Sequence, residues 1–485
     1  MTTRTLSRRQ WLRGAGAAGV GLASAGLLAS CGGDDDDNED PSSDSNNEPD
    51  TGASEDPADS APLTGELDFW IDIQGDPNQE YFTNSVIGGF ESANDGITVN
   101  VTFHNGADLR QLVQTALAAG EGPDIVRGPS ATQTLNWAKT GVLTDLTPYK
   151  DKFGWDEKLA SWAIDAFTFE DKLYALPMRV DTLLLYYNKT LFEQQGWSIP
   201  TNRSELEAIA EDAAGQGITP FGASNTNWRA ASEWHMSVFW NHYAGPDAVR
   251  QALTGEIPWT DPVFVDAAAL LKSYFDNGWF GGGVENYFAV PAEEIQTNFG
   301  NGEVAMVPQG IWWMNAVRNF FGEVAGNANE WDWMAWPALG DQAPYPFFDL
   351  GIGGSLAINA GSDNPDVAAE YLNWYYGGDK SAALQRMADV NATYNIPIEF
   401  DAAELPDNAD PRHARALDEI NKAVAAGTFG YVSWTWWGPK ANTYIFEGFE
   451  QVLVDDITPA EYCETLDGIF QEELQAGETP NIIGA

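Results

Sequence analysis

Short β-prone runs alternate with helical stretches along most of this chain, beginning at Gly65. Residues 67–71 form an apolar β-prone run, residues 81–90 have helical spacing, and residues 97–103 alternate apolar and polar positions as a strand does. This order predicts a βαβ unit in an α/β fold with parallel strands. Further strands are predicted at 124–126, 182–187, 304–307 and 355–358, and further helices at 109–119, 204–214, 264–275, 365–376 and 459–474.

The length of the chain predicts more than one structural body. Its 485 residues exceed the roughly 250–300 at which a single hydrophobic core stops growing, so we expect two lobes with a cleft between them. The formal charge of −48 argues against nucleic acid and anionic lipid surfaces as partners. Such acidity fits either a salt-rich habitat or simply a highly soluble surface, and the sequence leaves both open.

The first 31 residues have the pattern of an export signal. Adjacent Arg8 and Arg9 precede an uncharged run at 14–30, which resembles a twin-arginine signal and is short for a bilayer span of about 20 residues. Leu28-Ala29-Ser30-Cys31 resembles a lipobox, in which Cys31 is lipidated and becomes the mature N-terminus. We therefore expect a lipid-anchored protein on the extracytoplasmic face of the cell membrane.

The next segment, residues 32–62, is acidic and rich in Ser, Asn and Pro, with no apolar periodicity. A segment of this composition cannot bury enough apolar surface to offset its ordering entropy, so a disordered tether is predicted. Cys31 and Cys463 lie in such different contexts that we expect no disulfide between them. Cys463 falls in a helical pattern beside Leu466 and Phe470 and is expected to be a small buried side chain.

Several segments occur in an order that is more specific than any one of them. They are AAGEGPDI (118–125), TGVLTDL (140–146), DKLYALP (171–177), LYYNKTLF (185–192), NFGNGEVAM (298–306), GIW (310–312) and GGSLAIN (353–359). Together they resemble the extracellular solute-binding proteins of ABC importers, in the sugar-binding group that includes maltose-binding protein. The resemblance covers about residues 65–475.

This resemblance implies a periplasmic-binding-protein-like fold, with two α/β lobes that exchange chain at hinges and close on a ligand. Lobe one is expected at 65–179 plus 340–398, and lobe two at 180–339 plus 399–485. The implied partners are a mono- or oligosaccharide and the transmembrane subunits of an ABC permease. The resemblance implies a monomer with no cofactor, no metal and no catalysis.

The first expected contacts with a ligand come from two places in the chain. Trp70, Asp72 and Gln74 lie at the end of the first predicted strand and match the first cleft loop of the family, although a core Trp beside a solvated turn would give the same pattern. Asp181 lies at a hinge crossing, with Arg179 two residues before it. Sugars need aromatic faces and polar hydrogen-bonding groups, and these residues supply both.

Further candidates are aromatic. Trp228 lies in a polar loop at 225–229, and Trp312 follows Gly310-Ile311 in a family segment, with Trp313 expected to point into the lobe. If residues 430–438 were extended, alternate side chains would face one way, and Trp436 or Trp437 would reach the cleft.

Asp349 and Gly351 precede the predicted strand at 355, where glycine would let backbone amides approach a ligand. A plain loop is an equally good interpretation of these two residues.

Three other functions are compatible with parts of the sequence. A secreted glycosidase needs two positioned carboxylates, which so acidic a chain could place anywhere, and the sequence has no zinc, nucleophile-elbow or phosphate-loop motif. The same fold could bind a polyamine or another cation through carboxylates such as Asp181 and Asp349 beside Trp rings. A scaffold that binds only other proteins would need neither a cleft nor convergent aromatic residues.

Overall fold

The computed structural model describes residues 62–73, 75–226, 229, 231–390, 395–398 and 400–482. The predicted export signal with Cys31, residues 32–61 of the predicted tether, Gln74 and Trp228 lie outside the described residues. In the part of the chain that the structure describes, none of the helices combines the length and the apolar character that a bilayer crossing needs.

The strands are short, and most lie in the first three-quarters of the chain. They are β1 (Gly65–Ile71), β2 (Ile97–Phe103), β3 (Ile125–Gly128), β4 (Thr168–Phe169), β5 (Lys172–Leu173), β6 (Leu176–Pro177), β7 (Val180–Asp181), β8 (Leu183–Asn188), β9 (Thr219–Phe221), β10 (Val304–Gly310), β11 (Trp331–Met334), β12 (Asp349–Ile352), β13 (Ser355–Ile358) and β14 (Gly430–Tyr431).

Helices separate the strands and make up most of the C-terminal part. They are α1 (Asp76–Tyr81), α2 (Gly88–Ala93), α3 (Gly106–Ala118), α4 (Ala131–Lys139), α5 (Thr147–Phe153), α6 (Trp155–Lys158), α7 (Ser161–Asp165), α8 (Lys189–Gln195), α9 (Arg203–Gly215), α10 (Ala231–Ala244), α11 (Pro246–Leu253), α12 (Pro262–Asp276), α13 (Val284–Ala289), α14 (Ala292–Asn301), α15 (Met314–Val317), α16 (Pro365–Tyr375), α17 (Lys380–Asp389), α18 (Pro411–Ala425), α19 (Ser433–Trp436), α20 (Pro439–Leu453) and α21 (Pro459–Gln475). A π-helical segment, Phe82–Ile87, joins α1 to α2, and 3-10 turns lie at Ile311–Trp313, Arg318–Phe320, Glu323–Ala325 and Ala402–Glu404.

The first sheet has the strand order β2-β1-β3-β13-β6. Strand β1 pairs in parallel with β2 and β3, and the helical segment from α1 to α2 connects β1 to β2, so the predicted βαβ unit is confirmed. Leu67, Phe69 and Ile71 are buried at alternate positions of β1, as a strand with one face in the core requires. The predicted parallel arrangement is wrong for β13, which runs antiparallel to β3. The chain passes directly from β12 into β13, without the crossover helix that a parallel strand needs.

The second sheet has the strand order β11-β8-β10-β9. Its central strand β8 is antiparallel to both β10 and β11, while β9 is parallel to β10. Every residue of β8 is buried, which explains its apolar and aromatic sequence from Leu183 to Tyr187, and the buried side chain of Asn188 at its end is hydrogen-bonded.

A third, small sheet lies where the chain passes between the two larger ones. Its order is β14-β12-β7. Strand β7 connects β6 of the first sheet to β8 of the second, and β12 connects β11 of the second sheet back to β13 of the first. The strands of the first sheet therefore fall within 65–179 and 340–398, and those of the second within 180–339. The lobe boundaries themselves stay a prediction.

The C-terminal helices bury a large aromatic and aliphatic surface. Cys463 on α21 is fully buried beside Leu466 and Phe470, as predicted, and burial raises the pKa of its thiol to about 12. Glu473, on the same helix, is also fully buried. Its two carboxylate oxygens accept the backbone N–H groups of Lys440 at 2.7 Å and Ala441 at 2.9 Å, so α21 caps the beginning of α20.

We expect Glu473→Ala to lower the free energy of unfolding by about 1–3 kcal/mol, because two backbone donors at a helix N-terminus lose a charged acceptor. The measurement is urea unfolding followed by circular dichroism. Glu472→Ala, at an exposed position of the same helix, is the matched control and is expected to leave the unfolding midpoint unchanged. Equal midpoints for the two variants would contradict the capping role of Glu473.

Candidate functional site

Two ion pairs lie where β1, β3 and β7 end. Strands β1 and β3 are parallel with Trp70 opposite Val126, so the residues that follow them meet at one edge of the first sheet. Arg127, at this edge, forms a bidentate ion pair with Asp72, with Nε 3.0 Å from Oδ1 and Nη2 3.1 Å from Oδ2. Arg179 holds Asp181 on β7, with Nε 2.9 Å from Oδ1.

The Asp181 carboxylate is almost completely buried, with 2% of its side chain exposed. Burial is the largest influence on Asp181 and raises its pKa above the ordinary value, while the guanidinium groups of Arg179 and Arg127 act in the opposite direction. A carboxylate removed from water in this way needs its cation close by. Arg179 is therefore part of the site together with Asp181.

Two successive glycines allow these charged groups to approach the backbone that follows β12. A Cβ atom at Gly353 would collide with the carboxylate of Asp181 and the guanidinium of Arg179, and one at Gly354 would collide with the guanidinium of Arg127. Gly354 also has a φ of +90°, which side chains of L-residues rarely adopt. The Gly353-Gly354 pair thus places both ion pairs against one short segment of chain.

Three partly buried tryptophan rings form the aromatic side of the site. The ring centroid of Trp312 lies 5.4 Å from that of Trp234 and 5.9 Å from that of Trp434, edge to face in both cases. Trp312 follows β10 in a 3-10 turn, Trp234 lies in the first turn of α10, and Trp434 lies on α19. We call these three rings the tryptophan cluster. Trp313 is buried, as predicted.

The tryptophan cluster lies next to the ion pairs. The backbone N–H of Ile311 donates to the carbonyl of Thr182 at 2.9 Å, which joins the turn of Trp312 to the residue after Asp181. Gly351 on β12 pairs with Asp181, and a Cβ atom on Gly351 would come within 3.3 Å of Nε1 of Trp434. Charged groups and aromatic rings therefore lie close to one another around β7 and β12.

A further hydrogen bond joins the short helices α15 and α1. The side-chain amide of Asn315, in the helix after Trp312, donates to Oδ1 of Asn78 at 3.3 Å. Asn78 lies in α1, shortly after Asp72.

A ladder of buried polar groups on α10 holds the Trp434 segment in place. Glu233, Ser237 and Asn241 follow one another at four-residue spacing and share one face of the helix. The Ser433 hydroxyl donates to Glu233 Oε1 at 2.5 Å, and the Ser433 backbone N–H donates to the Ser237 hydroxyl at 3.1 Å. Asn241 accepts from the backbone N–H of Tyr431 and donates to its carbonyl, both at 2.9 Å.

Of the residues predicted for the site, the structure places Asp72, Asp181, Trp312 and Gly351 together. Trp70 is partly buried and packs edge to face on His104, with the ring centroids 5.7 Å apart. Asp349 is fully buried and lies 3.5 Å from Nε2 of His242, so its carboxylate does not reach the surface of the site.

The extended conformation assumed for residues 430–438 is wrong, because Ser433–Trp436 forms a helical turn. Trp436 and Trp437 are both fully buried. Trp436 donates from Nε1 to the carbonyl of Leu350 at 3.0 Å, and Trp437 stacks on Trp240 in the core. Neither ring therefore offers a face to a ligand in this structure, and Trp434 is the ring of this segment that joins the site.

Sequence reasoning missed Arg127, Glu233 and Trp234. The four-residue spacing of Glu233, Ser237 and Asn241 in an otherwise apolar helix was a usable signal for the buried ladder. The pairing of Arg127 with Asp72 was not readable from the sequence, because 55 positions separate the two residues.

The ladder carries a titrating group. Burial raises the pKa of Glu233 to about 7 from an ordinary value of 4.5, although the hydrogen bonds from Ser433 and Asn442 act in the opposite direction. The folded protein therefore keeps a proton that the unfolded chain has released. The stability that the protonated Glu233 contributes is fully present below pH 4.5 and is lost as the pH rises through about 7.

When the pH rises from 5 to 8, we expect the free energy of unfolding to fall less in Glu233→Gln than in the parent protein. The difference between the two proteins should reach up to about 3 kcal/mol, because the amide has no proton to release. Urea titrations at the two pH values measure the difference. Glu211→Gln, at an exposed position of α9, is the control and should follow the parent. The same pH dependence in all three proteins would show that Glu233 is ionised throughout.

The family model described as "Bacterial extracellular solute-binding protein" matches residues 74–379. The chain is 22% identical over 238 residues to the multiple sugar-binding protein of Streptococcus mutans serotype c, which covers 48% of this chain and 54% of that protein. It is 25% identical over 182 residues to a probable sugar-binding periplasmic protein of Brucella suis biovar 1, covering 36% of this chain and 42% of that protein. The chain thus spans about half the length of the curated relatives it matches.

Solved structures match over a longer part of the chain. A chitin oligosaccharide binding protein superposes with a TM-score of 0.71 at 20% identity, covering 85% of this chain and 99% of that one. RafE in complex with raffinose superposes with a TM-score of 0.64 at 20% identity, covering 84% of this chain and 99% of that one. These likenesses establish the fold as the two-lobed α/β fold with hinge crossings that such proteins share.

Proposed function

Because the chain belongs to the family of bacterial extracellular solute-binding proteins, we propose that it captures a mono- or oligosaccharide and delivers it to an ABC importer. Proteins of this family bind solutes for transport and do not transform them, so the protein is not an enzyme. The observation that carries the proposal of a carbohydrate is the tryptophan cluster beside the two Arg–Asp pairs.

The chemistry of a sugar suits this combination. A pyranose ring presents apolar C–H faces that pack on aromatic rings and a rim of hydroxyl groups that need charged or amide hydrogen-bonding partners. Trp312, Trp234 and Trp434 supply the aromatic surface, and the Arg127–Asp72 and Arg179–Asp181 pairs supply donors and acceptors next to it. The relatives include proteins named for binding sugars, chitin oligosaccharides and raffinose, which supports the same substrate class.

A polyamine or another cation is a weaker candidate for this site. Such a ligand needs a carboxylate that is free to pair with its positive charge. Asp72 and Asp181 are each already paired with an arginine, and Asp349 is buried. A neutral ligand with many hydroxyl groups avoids placing another cation beside Arg127 and Arg179.

Transport follows from closure of the two lobes about the crossing strands. We infer that lobe one comprises 65–179 plus 340–398 and lobe two comprises 180–339 plus 399–485. A ligand that contacts both lobes favours the closed state by its differential affinity, and the transmembrane subunits of the permease then recognise that state. No cofactor or covalent step is required, and the protein acts as a monomer.

We further propose that the protein is exported by a twin-arginine signal and anchored through a lipid on Cys31. The arginine pair at Arg8-Arg9 and the tetrad ending at Cys31 support this placement on the extracytoplasmic face of the membrane.

A thermal-shift screen of the full-length protein tests the substrate class. Mono- and oligosaccharides, polyols and polyamines are each added at low and at high salt, because a ligand that binds only the native state raises the melting temperature by mass action. We expect at least one sugar to raise it. A response to polyamines alone would overturn the carbohydrate assignment and leave the binding-protein fold intact.

Trp312→Ala should weaken binding of the sugar found in that screen by at least about tenfold, because a stacking surface is lost. Isothermal titration measures the dissociation constant, and the melting temperature without ligand reports folding. Trp197→Ala removes another partly buried Trp, whose ring packs on Phe192 and whose Nε1 donates to Asp212, and it should keep the parent affinity. An unchanged affinity in Trp312→Ala would remove Trp312 from the site.

A further inference from the structure

A small cavity lies beside the tryptophan cluster and shares Trp234 with it. Its volume is about 40 Å³. The residues that line it come from the chain after β9, from α10, from α14 and from β10, and they include Ser224, Trp234, His235, Ile295, Gln296 and Gln309. Because Gln309 lies three residues before Trp312 on the same strand and turn, the cavity adjoins the aromatic surface.

The lining is polar without being charged. Among the described residues of the lining there is no Lys, Arg, Asp or Glu, while serine, glutamine and histidine side chains stand beside aliphatic ones. His235 is only 3% exposed, and its Nε2 is enclosed by the surrounding protein, so this nitrogen does not face the cavity. Its ring packs edge to face on Phe280, and burial lowers its pKa to about 3, so it stays neutral at physiological pH.

A cavity of about 40 Å³ has room for roughly three waters, which is close to the size of one hydroxymethyl group. The aliphatic part of the lining suits a methylene, and the polar part suits a hydroxyl.

We propose that this cavity receives the exocyclic hydroxymethyl group of a hexopyranose whose ring packs on the tryptophan cluster. The proposal rests on the proposed function and narrows it. The expected ligands are sugars that contain a hexose. Pentoses are excluded because they lack the hydroxymethyl group, and uronic acids are excluded because their carboxylate would meet no positive charge in the cavity. Gln296 and Gln309, which line the cavity, then supply amide groups for hydrogen bonds to the hydroxyl of that group.

The test compares sugars that differ only at this position. Isothermal titration of the full-length protein is made with D-glucose and D-xylose, D-galactose and L-arabinose, cellobiose and xylobiose, and D-glucuronate. In each pair that binds, we expect the hexose sugar to bind at least about tenfold more tightly than its pentose counterpart, since a buried polar site rejects a ligand that leaves it unpaired. D-glucuronate should not bind.

Two variants assign the effect to the cavity. Ala292→Leu fills the cavity from a partly exposed lining position and should reduce the hexose affinity to within about threefold of the pentose affinity. Ala289→Leu, at an exposed position outside the lining, is the control and should keep the selectivity. Melting temperatures establish that each variant folds.

The outcomes separate the two proposals. Hexose selectivity that Ala292→Leu removes and Ala289→Leu retains supports the cavity. Equal affinity for hexoses and pentoses, or selectivity that survives Ala292→Leu, overturns the cavity assignment and leaves sugar binding in place. If no sugar binds here or in the wider screen, the carbohydrate function fails and this inference fails with it.

Discussion

The arrangement of β7 and β12, the strands by which the chain crosses between the two larger sheets, depends on the burial of the Asp181 carboxylate. A buried carboxylate is tolerated only with a cation and hydrogen bonds close by, and Arg179 supplies these from two residues away. The pair leaves room for no side chain at Gly353. The same narrow space fixes β12 against β7, and β12 in turn carries Gly351 to within reach of Trp434. The position of the aromatic surface thus depends on how one charge is accommodated.

The polar ladder of α10 fixes the position of the segment that carries Trp434, as the ion pairs fix the position of the crossing strands. Apolar packing alone would let the short α19 turn slide along α10, because it is non-directional. Hydrogen bonds from Glu233, Ser237 and Asn241 to the segment at 431–433 define a single register. That register places Trp434 against Trp312, while Trp436 and Trp437 are directed into the core. Buried polar groups here select which ring faces the site.

The sequence predicted the parts of the structure that depend on local pattern. The strands at β1, β2, β8, β10 and β13, the long helices, the buried Cys463 and the inward position of Trp313 all follow from periodicity or from motif order. The site was predicted in part, with Trp312, Asp181 and Asp72 in one region. Residues whose role depends on distant partners were missed, as with Arg127, or were placed in the wrong conformation, as with Trp436. The direction of β13 was missed for the same reason, because strand direction is set by connections and not by composition.

The glycines beside the ion pairs have a consequence for protein engineering. A Cβ atom at 353 or 354 would displace a guanidinium or a carboxylate, and Gly354 also has a φ that L-residues rarely adopt, so substitutions in this half of the site would disturb both ion pairs. The opposite half consists of three large rings and a small uncharged cavity formed by ordinary side chains from separate elements. A biosensor with altered ligand preference built on this scaffold would therefore vary the aromatic wall and keep the crossing strands as an invariant frame.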